Sequence, residues 1–132
     1  MPHFVVLQHD DPQGRHWDFM LETGSALSTW ALAQAPGSVA RIAARALPDH
    51  RLDYLDYEGP ISGGRGAVTR WDQGTFHVER QAEGFLLVLL SGKTLCGRAT
   101  LERTGEDAEQ WWFSFEAQPA GMSNDENQMT KE

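Results

Sequence analysis

The sequence predicts a mainly β protein: a compact antiparallel β-barrel of about seven or eight strands with one or two short helical elements. Short apolar runs with period-two alternation recur at close spacing along the chain. Turn-forming segments, DQG, AEG and SGK, separate the later runs at hairpin lengths. Heptads and internal repeats are absent from the sequence. These observations favour a small closed or sandwiched sheet over a helical fold.

Eight segments are predicted as strands because β-branched and aromatic residues are enriched in them. In chain order these are residues 4–8, 15–22, 27–34, 67–71, 75–80, 85–90, 94–101 and 111–117. The second segment alternates most clearly, with Trp17, Phe19 and Leu21 on one side and polar residues on the other. The third fits a strand or a helix by pattern, and its threonine and tryptophan favour a strand.

Two segments differ from this pattern. Residues 39–47, VARIAARAL, contain helix-forming alanines and predict a helical turn or two, which Pro48 ends. Residues 49–66 form a long polar loop before the next strand.

The adjacent Trp111 and Trp112 must face opposite ways, so one is expected in the core. Stacking of a nucleic-acid base on the other is the less favoured alternative.

Length and composition fit one globular domain. The chain has 132 residues, 40% hydrophobic and 23% charged, which is enough for a single core. We expect a folded domain over residues 1–118 and a disordered polar tail over residues 119–132. Cys96 is the one cysteine, so the sequence offers neither a disulfide framework nor a thiolate metal cluster.

Charge and hydropathy limit the classes of partner that the protein can have. The apolar start of the chain is too short for a secretory signal, and no apolar run has the length of a membrane span. We therefore expect a cytoplasmic protein without a membrane partner, and a monomer by default. The formal net charge of −8 argues against strong, indiscriminate binding to nucleic acid. It leaves room for a local basic site.

Three polar residues near the start of the chain suggest a metal site. On a strand, His16 and Asp18 project the same way, with about 7 Å between their Cα atoms, and His9 precedes them on another strand. Two imidazole nitrogens and a carboxylate oxygen suit Mn²⁺, Zn²⁺ or Fe²⁺ and leave positions open for water and substrate. The same residues also occur on the wet side of ordinary strands, and the pattern alone favours that simpler interpretation.

A second group of candidates lies in and around the long loop. His50 either donates to a phosphate or acts as a general acid, or it is a surface histidine packed on Tyr54 or Arg51. The SGGRG segment, residues 62–66, predicts a tight turn rather than a phosphate loop, because a following helix and a lysine are missing. Five arginines make this half locally positive and are candidates to bind phosphate: Arg15, Arg41, Arg45, Arg51 and Arg65.

These segments, in this order, resemble the 3′-phosphoesterase domain of bacterial DNA ligase D, which occurs fused to a ligase and in a stand-alone form. The similar segments are FVVLQHD, HWDFMLE, STWAL, PDHRLDYLDYEGPISGGRGAV, RWDQGTF, LSGKTLCGRATLERT and WWF. They span roughly residues 4–115 in colinear order, which is far more specific than any single motif. The resemblance implies a compact β-barrel with small helical elements.

The resemblance also implies a site and an activity. Its metal ligands map onto His9, His16 and Asp18, with Mn²⁺ or another divalent transition metal such as Zn²⁺ or Co²⁺. Its catalytic residues map onto His50, which works at the phosphate, and Tyr54. The implied enzyme is a metal-dependent phosphodiesterase and phosphomonoesterase of DNA repair, removing a 3′-ribonucleotide and then a 3′-phosphate. The implied partners are DNA or DNA–RNA 3′ ends and a DNA ligase or other end-joining machinery.

Two positions depart from the family pattern. Met20 stands where the H-x-D-x-R-x-E run has arginine, and Pro48 stands where the family has glutamate. Arg41 or Arg45 replaces a further family arginine only with a shift in register. Two alternatives therefore stay open. One is a catalytically weak or inactive phosphoesterase-like binding module, and the other is a phosphoesterase acting on a small nucleotide or phosphate ester.

Overall fold

The fold was analysed in a computed structural model, which describes residues 1–118. The predicted disordered tail, residues 119–132, lies outside the described residues. A 3₁₀-helix (Leu52–Leu55) accompanies nine strands in the described part, which confirms the mainly β class. The strands are β1 (His3–Asp11), β2 (Gly14–Thr23), β3 (Ala26–Leu32), β4 (Ile42–His50), β5 (Gly59–Pro60), β6 (Ala67–Ala82), β7 (Phe85–Gly92), β8 (Cys96–Arg103) and β9 (Gln110–Ala117). No helix between residues 1 and 118 is long and apolar enough to cross a membrane.

Eight of these strands close into a ring of antiparallel neighbours. Their order is β1-β2-β3-β4-β9-β8-β7-β6, and β6 pairs again with β1. The 16-residue strand β6 makes this closure, because its first half pairs with β1 and its second half with β7. The short strand β5 adds to the free side of β6 at Ala67 and Val68.

The interior of the ring holds the larger apolar cluster. Every ring strand contributes to it, and Trp17, Phe19 and Leu21 of β2 belong to it or pack against it, as the alternation of that segment predicted. The ring of Phe19 packs edge-on against that of Phe113 from the opposite part of the sheet, with centroids 5.2 Å apart. Period-two alternation therefore identified the inward face of β2 correctly.

A second apolar cluster covers the outer face of the ring at β1, β2 and β6. Its buried members are Val5, Leu7, Met20, Leu27 and Val68. The long segment between β4 and β6 lies over them and adds Leu52, Tyr54, Leu55, Tyr57 and Ile61. The predicted polar loop is thus a structured cover with an apolar underside. Its edge, together with β1, β2 and β4, encloses the candidate site.

The predicted helix over residues 39–47 is wrong, because residues 42–47 belong to β4 and residues 39–41 are not helical. Burial alternates along β4, with Ile42 and Ala44 inward and Ala43 and Arg45 exposed. Pairing with both β3 and β9 stabilises the strand more than alanine helix propensity opposes it. Pro48 does not end the element, since it falls where the β3–β4 register shifts and no ladder hydrogen bond is needed from it.

The predicted DQG turn, residues 72–74, is also wrong, because β6 runs straight through it. Asp72 is buried, and its carboxylate accepts hydrogen bonds from three backbone amides of the following β7–β8 turn: Lys93 at 2.9 Å, Thr94 at 3.1 Å and Leu95 at 2.8 Å. A Cβ at Gly74 would overlap the carbonyl oxygen of Ser91. The glycine is therefore explained by close strand approach.

Candidate metal centre and phosphate pocket

The first two strands bring three metal-ligating side chains together on the outer face of the ring. In the β1–β2 register, His9 is paired with His16, and Leu7 is paired with Asp18. Paired residues of antiparallel strands project to the same side, so His9, His16 and Asp18 share one face, opposite to that of Phe19. One ligand atom from each lies within 4.8 Å of the others.

The distances between these atoms suit a metal ion. His16 Nε2 lies 3.1 Å from Asp18 Oδ1, and His9 Nδ1 lies 3.5 Å from Asp18 Oδ2. Adjacent ligands around an ion with bonds of about 2.1 Å are separated by roughly 3.0–3.4 Å. The two imidazole rings are also close, with centroids 4.6 Å apart.

The hydrogen bonds of the three residues leave acceptor atoms facing one another. His9 Nε2 must donate to the backbone oxygen of Arg65, 2.7 Å away, because a carbonyl only accepts. In neutral His9, Nδ1 is then an unprotonated acceptor directed at the Asp18 carboxylate. Asp18 is 3% exposed, and its Oδ1 forms no well-aligned hydrogen bond with residues 1–118, although His16 Nε2 lies 3.1 Å from it. A divalent cation between these groups satisfies both, so the residues fit a metal.

A glycine places the carbonyl that orients His9. Gly66 has φ +80°, and a Cβ there would overlap the carbonyl oxygen of Asp10 on β1. Only glycine lets the segment approach β1 this closely. The preceding SGG forms the turn that the sequence predicted, and Arg65 Nε donates to the backbone oxygen of Ser62 at 2.8 Å. The SGGRG segment therefore orients the candidate ligand His9 through its backbone.

Electrostatics couple the ligands to pH. The Asp18 carboxylate beside His16 raises the pKa of that imidazole above its ordinary value of 6.5, while partial burial and the charge of Arg45 lower it. Without a metal, Asp18 therefore favours the protonated form of His16. Because a metal needs the unprotonated nitrogen, protons and metal compete for this residue.

The three ligands line a cavity of about 550 Å³. His50, at the end of β4, and Tyr54, in the 3₁₀-helix, line it too. His50 Nδ1 donates to the backbone oxygen of Pro48 at 2.9 Å, and its ring meets that of Tyr54 edge-on with centroids 5.6 Å apart. Its other nitrogen, Nε2, has no hydrogen bond within the described residues. The carbonyl of Pro48 thus orients the imidazole of His50.

The five arginines predicted to bind phosphate fall into two groups. Arg45, Arg51 and Arg65 line the cavity. Arg15 and Arg41 do not: Arg15 pairs with Asp10 at 2.5 Å, and the Arg41 guanidinium lies 4.2 Å above the ring of Trp112.

Arg45 and Arg51 differ from the other arginines of the cavity region because their guanidiniums form no hydrogen bond or ion pair with residues 1–118. Ala31 of β3 is paired with Asp18 on one side and with Arg45 on the other. Arg45 therefore lies on the same face as Asp18, one strand further along the sheet. Met20, by contrast, is buried in the outer apolar cluster and brings no charge. The cavity therefore combines a candidate cation site with two cationic groups that are free to bind an anion.

Sequence reasoning missed three contributions to this site. The carbonyls of Arg65 and Pro48 orient the two histidines, and backbone groups leave little trace in a sequence. Gly66 was read as part of a turn, although its role is close approach to β1. The glycine-rich SGGRG segment was the available signal, and its partner strand was not apparent.

Comparison with known proteins shows the family. The family described as DNA Ligase D 3′-phosphoesterase domain matches residues 7–103. The chain is 36% identical over 126 residues to the multifunctional non-homologous end joining protein LigD of Pseudomonas aeruginosa, covering 86% of this chain and 15% of the relative. It is 35% identical over 114 residues to the Mycobacterium bovis protein of the same name, covering 79% of this chain and 15% of the relative. A Mycobacterium tuberculosis relative, the multifunctional non-homologous end joining DNA repair protein LigD, matches to the same extent.

The match includes the three candidate ligands, the cover segment and all strands from β2 to β8. The chain spans about 15% of the length of these curated relatives. Together with the extent of the family match, the identities show that this chain belongs to the DNA ligase D 3′-phosphoesterase domain family.

Proposed function

We propose that the protein is a divalent-metal-dependent phosphoesterase that processes the 3′ ends of DNA during repair. It would remove a 3′-terminal ribonucleotide and a 3′-phosphate. Family membership supports this proposal, and so do the names of the relatives, which refer to end joining and DNA repair. One observation carries it: the cavity combines facing acceptor atoms, which call for a cation, with the unpaired guanidiniums of Arg45 and Arg51, which call for an anion.

Each residue has a role in this proposal. His9, His16 and Asp18 would hold Mn²⁺, with Zn²⁺ or Co²⁺ as substitutes. A bound ion of this kind supplies Lewis-acid polarisation of a phosphoryl oxygen and a more acidic water. Arg45 and Arg51 bind the non-bridging oxygens and stabilise the charge that develops on them. Arg65, held by Ser62, adds positive charge at the cavity wall.

His50 is the proposed acid of the reaction. Hydrolysis of a 3′-phosphate breaks the bond between phosphorus and the 3′ oxygen, forms a bond from phosphorus to a water oxygen, and leaves a 3′-hydroxyl. The 3′ oxygen needs a proton, and protonated His50 donates it from Nε2, because Nδ1 is committed to Pro48. Tyr54 packs against the imidazole and fixes its orientation.

The proposal implies particular partners. They are DNA or DNA–RNA 3′ ends, and then a DNA ligase or other end-joining machinery, because a 3′-hydroxyl is what a ligase or polymerase uses. Action on chromosomal DNA implies a cytoplasmic protein rather than a membrane-bound one. All the proposed residues come from one chain, in keeping with a monomer.

A small nucleotide or phosphate ester is the second candidate substrate. The formal charge of −8 disfavours a long polyanion, and a cavity of about 550 Å³ is large enough for a small ligand. Met20 in the outer apolar cluster also removes one cationic contact that the family pattern would provide. This substrate differs from a DNA end in needing no contacts outside the cavity.

The test is cleavage of 5′-labelled DNA oligonucleotides that end in a 3′-phosphate or a 3′-ribonucleotide, compared with a mononucleotide 3′-phosphate. We expect Mn²⁺-dependent cleavage that favours the oligonucleotides and stops with EDTA. Asp18→Asn should abolish it, and Arg45→Ala should slow it by about 10- to 150-fold, the value of one charged hydrogen bond of roughly 1.5–3 kcal/mol. Arg80→Ala, an exposed arginine on β6, is the matched control.

Four outcomes would count against the proposal. Full activity in EDTA would exclude metal dependence, and full activity of Asp18→Asn would exclude this metal centre. A preference for the mononucleotide would support the second substrate class. Mn²⁺ binding without cleavage of any of these substrates would support the catalytically inactive binding module.

A further inference from the structure

A groove leads away from the cavity over the outer face of β3 and β4. It contains a second cavity of about 350 Å³, which shares His16 and Arg45 with the first, so the two are continuous. Three alanines form its floor: Ala31 of β3, Ala33 just after β3, and Ala43 of β4. We call this surface the alanine groove. Neither the metal centre nor the proposed chemistry requires this surface.

The strand register makes the groove flat and straight. A row of paired residues crosses four strands from Asp18 through Ala31 and Arg45 to Gln110. Next to this row, the amide of Ala33 donates to the carbonyl of Ala43 at 3.0 Å, which keeps β3 and β4 together. Methyl groups are the only side chains on this floor, so an extended chain is able to lie against the sheet.

A cationic aromatic stack lies next to the groove, on the β9 side of Ala43. The Arg41 guanidinium lies 4.2 Å above the ring of Trp112, and Trp112 is paired with Ala43 of the floor. Planar guanidinium and indole groups are the surfaces on which nucleic-acid bases stack. On its other side Trp112 is paired with Glu102, whose exposed carboxylate repels a phosphate backbone. The cationic part of this face therefore ends at the stack.

We propose that the alanine groove binds the single strand that runs 5′ from the reacting 3′ end. Arg45 stays on the reacting phosphate at the 3′ end, Arg41 contacts a backbone phosphate upstream, and the stack of Arg41 on Trp112 receives a base. Arg41 lies directly before β4 and Arg45 four residues later, so their Cα atoms are about 13 Å apart in an extended chain, a distance that up to about four nucleotides cover at ~3.4 Å or more each. The proposal rests on the proposed function, because the direction of the strand is set by a 3′ end in the cavity.

Length dependence of binding tests the groove. The probes are 5′-fluorescein oligodeoxynucleotides with a 3′-hydroxyl, two to eight nucleotides long, measured by anisotropy with Mn²⁺ present. Wild-type affinity should rise with length up to about four or five nucleotides and then level off. Arg41→Ala should reduce the eight-to-two-nucleotide affinity ratio at least fivefold. It should also lower the slope of log affinity against log salt by about 0.7, the value for one phosphate contact on a single strand.

Two further variants control for charge and folding. Ala43→Leu changes no charge and lies at an exposed position of β4, yet its side chain blocks the floor, so the same ratio should fall. Arg80→Ala removes one positive charge far from the groove and should leave the ratio at the wild-type value. If Arg41→Ala and Ala43→Leu both behave like Arg80→Ala, the groove does not bind the strand.

The outcome also separates this inference from the proposed function. Cleavage of a 3′-phosphorylated dinucleotide, with no length dependence of binding, would overturn the groove and leave the enzyme activity intact. Length-dependent binding that needs Arg41, with no cleavage of any substrate, would overturn the activity and leave the groove as a binding surface.

Discussion

Replacing Gly66 with alanine should weaken metal binding without touching a ligand. Gly66 follows the residue whose carbonyl orients His9, and its φ of +80° brings it against β1. An added Cβ would overlap the Asp10 carbonyl oxygen, so the segment must move outward. Movement of Gly66 carries the Arg65 carbonyl away from His9 and frees the imidazole to rotate or change tautomer.

The matched control is Gly64→Ala. Gly64 has φ +69° in the same segment, and a Cβ there meets nothing within 4 Å. Both alanines incur the left-handed backbone cost of about 1–2 kcal/mol. Gly66→Ala should also lose the hydrogen bonds His9–Arg65 (2.7 Å) and Ile61–Gly66 (2.8 Å). At roughly 1 kcal/mol each, this lowers its free energy of unfolding by about 3–4 kcal/mol in total.

Calorimetric titration with Mn²⁺ and urea unfolding measure the two effects. Loss of the group that orients a metal-binding histidine typically weakens metal affinity by about 10- to 100-fold. We expect that loss for Gly66→Ala and an affinity near wild type for Gly64→Ala. Equal Mn²⁺ affinities for the two folded variants would refute the role given to the Arg65 carbonyl. ¹⁵N shifts of the His9 ring would report its tautomer directly.

Three other perturbations have expected outcomes. Because the folded-state pKa of His16 is raised, the metal-free protein should lose stability as pH rises from 6.5 through that pKa. The Mn²⁺-loaded protein should instead gain stability over the same pH range, because the metal binds the unprotonated imidazole. In urea unfolding, His16→Gln should remove the loss of stability seen in the metal-free protein. Asp18→Asn should abolish Mn²⁺ binding in calorimetry without lowering the melting temperature of the metal-free protein at pH 8, since a buried carboxylate beside neutral histidines is replaced by a neutral amide. Asp72→Asn should lower the free energy of unfolding by about 2–4 kcal/mol and leave Mn²⁺ affinity unchanged, because one remaining acceptor replaces a carboxylate that binds three amides.

The sequence predicted the strands whose two faces differ in chemistry. Trp17, Phe19 and Leu21 revealed the inward face of β2 because large apolar residues alternate with polar ones there. In β4 the inward Ala44 and the outward Ala43 are the same residue type, so the alternation is invisible and helix propensity misleads. The turn predicted at residues 72–74 is absent for another reason. Asp72 accepts hydrogen bonds from the β7–β8 turn, and Gly74 allows close approach to Ser91 of β7, so both turn-like residues have other roles.

The candidate site was predictable only where its residues lie close in sequence. His16 and Asp18 share one strand and His9 lies on the strand before it. The family resemblance then favoured the functional interpretation of these residues and of His50. That Arg45 lines the cavity and Arg15 does not depends on pairing across β3, which no local pattern contains. Met20 looked like an outward-facing residue, yet the segment over residues 49–66 buries it. Sequence separation, more than residue type, limited the prediction.

The burial of β1 on both faces has a consequence for folding. Phe4, Val5, Val6 and Leu7 are all 1% exposed or less, and β1 completes its pairing only when β6, some sixty residues later, is in place. Until then FVVL is a β-prone apolar segment with an unpaired edge, the kind of sequence that starts aggregation. Asp10, Asp11 and Pro12 follow it directly and are the residue types that prevent strand addition. The acidic end of β1, beside the turn that joins the two candidate metal-binding strands, would thereby also protect the chain before the ring closes.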